Sequence, residues 1–381
     1  MEFFYLLINL TLIISGFVLG FILFAYPIPK NIYFKNYKFS AKILATSYVL
    51  LAAINSAVLF FGVSDYQPEF IKYSAIFISS TQSLIFTFTI LTLLNPHQGK
   101  NILNLFKVHS IIICIFLLIY LVFFFLDTDP VLTTGSDLVL NIFHPMAALR
   151  IIFFVFYLYQ ILIYSLLFHK SIRKFNTSIE NYFSETWKIQ LNWIKVAFFS
   201  ALAIGLMAIA FQTTPGLLFD NIFTSIVVIF YILFALNFIS YHTVFQIIEP
   251  AFEISMLTEA ETESEKTLKK SSWVLYKQKV LERKVYLKES ITLIEMAQLL
   301  NVSRTTLSNF INTEENQNFN SWINQLRISE AKNLMINNPE FSISYISVAT
   351  GYSEQSNFSR EFKQITGETP SAWKKSNISI N

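Results

Sequence analysis

Cysteine is almost absent: Cys114 is the only one in 381 residues. An internal disulfide is therefore excluded, and no Cys/His spacing suits a structural zinc. Catalytic signatures are missing too, with no HExxH, no Gly-rich phosphate loop and no GxSxG. The five histidines (His97, His109, His144, His169 and His242) are scattered along the chain. These absences argue against an enzyme and imply neither metal nor cofactor. Charge is also scarce. Charged residues make up 14% and hydrophobic residues 54%, where soluble domains carry roughly 25% charged residues. A net charge of +3 is too small to argue for nucleic acid by itself. The aromatic share of 17% carries no functional weight, because an AT-rich genome produces the same bias toward Phe, Ile, Asn and Lys.

The scarcity of charge is uneven. Residues 1–248 carry 13 Lys/Arg and 9 Asp/Glu, whereas residues 273–381 carry 12 and 10. The first part therefore reads as lipid-solvated and the last as an ordinary soluble domain. A helix needs ~20 apolar residues to cross a bilayer. Seven such runs are expected, at 3–25, 41–63, 71–94, 108–126, 146–168, 193–213 and 220–242. Pro27, Pro68, Pro96, Pro130 and Pro215 fall in the connections, where a missing N–H costs little, and Pro145 suits a first helical position. The N-terminus lacks the positive stretch of a signal peptide, so the first run reads as an uncleaved span.

The loops give an orientation. One side holds Lys30, Lys35, Lys38, Lys42, Lys100, Lys107, Lys170, Arg173, Lys174, Lys188 and Lys195. On the other side Lys72 and Arg150 are the only basic residues, beside Glu2, Asp65, Glu69, Asp127, Asp129, Asp137 and Asp220. Basic residues stay on the cytoplasmic side. The N-terminus is thus expected outside and, after an odd number of spans, the C-terminus in the cytoplasm, in a bacterial cytoplasmic membrane. Residues 249–272 form a charged linker in which six glutamates precede Lys266, Lys269 and Lys270. It reads as a helical extension or tether, and as the only covalent route from the last span to the C-terminal segment.

From Trp273 onward the periodicity is that of amphipathic soluble helices. Thr292-Leu-Ile-Glu295 fits a capping box, with Ile294, Ala297 and Leu300 facing inward. Asn301 suits a left-handed turn, and Ser303 suits the cap of a helix over 304–312. That helix buries Leu307, Phe310 and Ile311 and leaves Arg304, Thr305, Ser308 and Asn309 as its outer face. The pattern recurs: Ser342 caps, Gly351 turns, Ser353 caps again, and Phe358 and Phe362 anchor a helix displaying Gln355, Ser356, Ser359 and Arg360. The connecting helix over 320–337, ~27 Å long at 1.5 Å per residue, spaces two recognition helices for successive major grooves ~34 Å apart. Arg pairs bidentately with guanine, and Asn or Gln with adenine, so Arg360, Asn309 and Gln355 are the best base readers. Lys332, Lys363, Lys374 and Lys375 suit phosphate contacts or structural ion pairs.

The stretches "FNSWINQLRISEAKNLM" and "ISYISVATGYSEQSNFSREFKQITGETPSAWKK" resemble the AraC/XylS transcription regulators over about residues 273–376. The resemblance implies an all-α tandem helix-turn-helix domain that reads double-stranded DNA. It also implies a structural role for Arg327, because the family keeps a basic residue in the buried part of that helix. A homodimer is expected on DNA, because pairing two readers doubles the contacts on a two-site operator, and RNA polymerase is a further candidate partner. Asn301 and Val302 depart from the family's usual Gly-hydrophobic turn, and Ser347 and Thr350 from its Ala and Val. The glycine expected after the first recognition helix is absent. Residues 1–248 take no part in the resemblance.

The expected architecture is a seven-helix transmembrane bundle (1–248), a linker (249–272) and the reader (273–381). Its expected function is transcription regulation by a small-molecule or membrane stimulus. Arg150, with His144 nearby, either reaches outward to the headgroups or lines an outward pocket for an acidic or polar ligand, with Gln212 and Asp220 at similar depth. Asn9, Asn55, Gln82 and Asn237 read as interhelical hydrogen-bonding groups. Two alternatives remain. One is a receptor or transporter whose tail binds a protein partner, and the other is a membrane half that only anchors.

Overall fold

The computed structural model describes residues 2–28, 35–61, 70–95, 99–126, 132–186, 192–213, 216–260 and 270–378. Among them there is no strand, and the fold is all-α. Two compact units are present: residues 1–172 with 191–247, and residues 173–190 with 248–381.

The first unit is built from α1 (Glu2–Ala25), α2 (Lys35–Phe61), α3 (Tyr73–Leu94), α4 (Gly99–Phe125), the short α5 (Gly135–Leu140), most of α6 (Pro145–Glu180), α7 (Asn192–Thr213) and the first part of α8 (Leu217–Ala260). Among the described residues, six helices are long and apolar enough to cross a membrane, namely α1 to α4, α6 and α8. The seventh expected span is α7, whose described apolar stretch, Asn192–Ala208, is shorter. Pro68, Pro96, Pro130 and Pro215, and the side chain of Gln212, lie outside the described residues.

Small residues set the closest helix pair. A Cβ on Gly16 would stand 2.9 Å from Ala52 Cβ, and one on Gly20 2.6 Å from Val49 Cγ2. This small-xxx-small face lets α1 lie against α2. Stacked rings fill the centre: Tyr73 on Tyr120 at 4.0 Å, Phe116 on Phe153 at 4.5 Å and Phe168 on Phe198 at 3.8 Å. The outward faces stay apolar. In α4, Ile111, Leu118, Val122 and Phe125 are all exposed, an apolar surface far beyond what a protein shows to water.

The contacts of the Asn residues differ from expectation. Asn9, Asn55 and Asn237 each donate to the carbonyl four residues back in their own helix. Tyr37 and Tyr48 on α2 instead donate to the carbonyls of Phe238 and Tyr231 on α8, both at 2.7 Å. Ser80, Gln160, Tyr164 and His109 form a buried chain joining α3, α6 and α4. Hydroxyls and a short amide network take the place assigned to Asn, because an Asn side chain satisfies itself locally when no partner faces it.

The second unit holds α9 (Lys270–Glu282), α10 (Leu293–Leu300), α11 (Arg304–Glu314), α12 (Phe319–Asn337), α13 (Ile343–Ala349), α14 (Gln355–Thr366) and α15 (Pro370–Ile378). Its C-terminal core is Ile328, Ala331, Met335, Ile346, Tyr352, Phe358 and Phe362, closed by Trp373. Trp273 stacks on Phe310 at 5.5 Å and tilts against Trp322. The C-terminal end of α6 and residues 181–190 also belong to this unit. At 36 residues α6 is about 54 Å long, well beyond the ~30 Å of a hydrocarbon core. In α8, one uninterrupted helix of 44 residues carries the last apolar run into the linker as far as Ala260. Linker residues 261–269 lie outside the described residues.

Candidate nucleic-acid interface

The first helix-turn-helix is assembled by local rules. Thr292 Oγ1 accepts from Glu295 N, and the Glu295 carboxylate accepts from Thr292 N, completing the capping box at the start of α10. Asn301 closes α10 in the left-handed region at φ 54°. Ser303 then caps α11 by accepting from Thr306 N at 3.0 Å. The second unit repeats the design, with Ser342 capping α13 at Tyr345 N and Gly351 turning at φ +86°. A Cβ at Gly351 would stand 2.4 Å from Leu287 O, so the turn requires glycine there.

The predicted readers divide into two groups. On α14, Gln355, Ser356 and Arg360 are exposed and Ser359 is half-buried, while Asn357 turns inward. Arg360 lies 3.3 Å from Glu361 in an exposed pair, which is weak enough to exchange for another anion. On α11, Arg304 and Asn309 are half-buried, but Thr305 and Ser308, expected on the outer face, are buried at 6% and 4% exposure. The helical periodicity of α11 locates only the face turned to its own core. Packing by α9, α10 and α12 closes over more of the helix than that stripe. The outer polar positions of α11 therefore include Thr306 and Thr313.

Several basic side chains are structural. Arg327 is fully buried; its Nε donates to Tyr286 O and its Nη2 to Lys288 O, both at 2.8 Å. Burial pushes its pKa down, while the Tyr352 ring 5.2 Å away and Glu185 favour the cation. Lys374 donates to Phe341 O, and Lys332 lies over the Trp373 ring at 5.5 Å. Lys363, exposed on the last turn of α14, suits a phosphate contact better.

Ser353 departs most from the local reading. It does not cap α14: the N-cap is Glu354, whose side chain makes no capping bond. Ser353 instead gives its N–H to Glu185 Oε1 at 3.1 Å and its hydroxyl to Glu185 Oε2 at 2.8 Å. No sequence signal close to Ser353 reveals a partner 168 positions away.

In the first unit, Arg150 is buried at 2% exposure, so it does not reach outward to headgroups. His144 is half-buried, and its Nδ1 accepts from Met146 N at 3.4 Å. Neither lines the cavity between α3, α6, α7 and α8, whose polar wall includes Ser79, Gln82, Tyr157, Tyr164 and Tyr231. Among the described residues, no cluster of His, Cys, Asp and Glu suits a metal ion.

Residues 296–376 match a family described as a helix-turn-helix domain. The chain is 35% identical over 88 residues to the HTH-type transcriptional regulator RipA of Corynebacterium diphtheriae, a stretch covering 23% of this chain and 26% of that one. It is 33% identical over 86 residues to the Msm operon regulatory protein of Streptococcus mutans, covering 23% and 31%. The chain thus spans about a quarter to a third of the length of these curated relatives. No solved structure matches the chain significantly. With its paired caps, its two turns and these relatives, the segment 296–376 is a helix-turn-helix domain of the AraC type.

Proposed function

We propose that the protein is a sequence-specific DNA-binding transcription regulator embedded in a bacterial cytoplasmic membrane, with its reader in the cytoplasm and its stimulus received in or across the bilayer. The observation that carries this reading is the exposed polar face of α14. Gln355, Ser356 and Arg360 stand clear of a well-packed AraC-type core. Such a face offers base edges hydrogen bonds and offers a protein partner no apolar stripe. The outward apolar faces of α1, α4 and α6 support the membrane part, and the charge asymmetry of the loops supports the orientation. A homodimer would place two readers on a two-site operator. The regulators matched above, named for transcription and for an operon, support the same reading.

The test is selection of bound DNA from a random duplex pool by the full chain in lipid vesicles. A defined motif should emerge, and binding should weaken steeply with salt as phosphate neutralisation releases counterions. If no sequence is enriched while the protein remains helical and inserted, a tail that binds a protein partner replaces this reading.

A further inference from the structure

The segment immediately after the apolar run of α6 is built into the reader. Phe183 pairs antiparallel with Thr292, Ser184 N donates to Ile291 O at 3.2 Å, and Leu293 N donates to Tyr182 O at 2.9 Å. The Asn320 side chain donates to Ser184 O at 2.8 Å, and that of Asn318 to Glu180 Oε2 at 3.1 Å. Tyr182, Phe183 and Ser184 are each buried. These contacts reach the start of the first helix-turn-helix and the start of α12.

Glu185 extends the contact to the second helix-turn-helix. Its side chain is 4% exposed and lies 3.5 Å from Arg327 Nη1. Besides the two bonds from Ser353, Oε2 accepts from Ser290 Oγ at 3.3 Å. Three donors and a buried guanidinium thus converge on one carboxylate. It sits just before α14, a helix without a side-chain cap of its own, where the helix dipole also favours negative charge.

We propose that the reader surface formed by Ser290–Leu293, Asn318, Asn320, Arg327 and Ser353 is a docking site for the chain's own residues 180–185, anchored by Glu185. Residues 173–185 then act as an arm that clamps both helix-turn-helix units in one orientation. Because α6 runs without a break into this arm, a shift of the fifth apolar helix reaches the recognition helix α14 without passing through the linker. This deepens the reading of a membrane-controlled reader and rests on that reading only for its regulatory meaning.

The test uses the full chain in phosphatidylcholine vesicles, whose neutral surface does not attract a basic domain, with a protease site placed in linker residues 261–269. After complete cleavage the vesicles are sedimented. The reader fragment should stay with them in the parent protein, and Glu185→Lys should lower the retained fraction at least tenfold. Release of the parent fragment, or equal retention of parent and variant, would overturn the docking. Should Glu185→Lys fail to insert, Glu185→Gln in the uncut protein replaces it, read by hydrogen exchange. The Ser353 and Leu293 amides should then exchange at least tenfold faster, and unchanged rates would overturn the proposal. Neither readout involves DNA, so failure here leaves the DNA-binding reading untouched, and a reader that binds no DNA leaves the arm in place.

Discussion

At the scale of single residues, the proposed readers of α14 separate from its scaffold by burial. Arg360→Ala and Gln355→Ala remove exposed side chains. Each should leave the fold intact and cost ~1–3 kcal/mol of discrimination at one base pair, measured by competition with singly substituted operators. Equal weakening on all sequences would make Arg360 a phosphate contact. Phe358 is fully buried in the core of the second helix-turn-helix. Phe358→Ala should cost ~3–5 kcal/mol and abolish binding by unfolding that unit, seen as loss of helical signal. Gly351→Ala forces a Cβ against Leu287 O at a left-handed backbone position and should destabilise by at least ~1–2 kcal/mol, read as a lowered melting temperature. The same scale shows where legibility ends. The caps at Thr292, Ser303 and Ser342 follow from three-residue spacing alone, and they are present. The burial of Thr305 and Ser308 and the capture of Ser353 by Glu185 depend on distant segments, which local spacing does not encode.

Helices of the reader were legible because each has a local start, a local stop and one apolar stripe. In α10 the stop is Asn301 in the left-handed region, and in α14 it is Gly367 at φ +85°. In the apolar half, length and hydropathy mark the long helices but not the short α5, and not which helices pack together. The Asn residues read as interhelical groups satisfy their own backbones, and the contacts run through Tyr37, Tyr48 and Gln160 instead. A pH dependence belongs to α10. Burial alone would raise the Glu295 pKa, but bonds from Lys288 and Thr292 outweigh it and hold the carboxyl below its ordinary value. A lowered folded pKa means the capping box stabilises above the ordinary carboxylate range and loses its effect as pH falls through the lowered value. Backbone amides at the start of α10 should therefore lose protection, relative to the intrinsic exchange rate at each pH, on acidification below about pH 4.5, and Glu295→Gln should remove that dependence. An unchanged pH profile in the variant would assign the acid sensitivity elsewhere.

For the whole molecule, the two-part organisation is visible as a step in charge density. The involvement of residues 173–190 in the second compact unit is not, because their composition resembles any charged loop. Orientation is testable directly. Reporter fusions after Lys38, Lys100 and Arg173 should behave as cytoplasmic, and fusions near Asp65, Asp129 and Pro215 as exported, in line with the excess of basic residues on one side. An exported signal from a fusion at Lys266 would place the reader away from the chromosome. The most direct measurement of a membrane-embedded DNA reader is recovery of chromosomal DNA crosslinked to the full-length protein in the membrane fraction of its own host. A few defined promoter sites should be enriched with the parent protein, and each should be lost or weakened with Arg360→Ala. Random coverage of the chromosome, or identical maps for the two proteins, would contradict sequence-specific reading by α14.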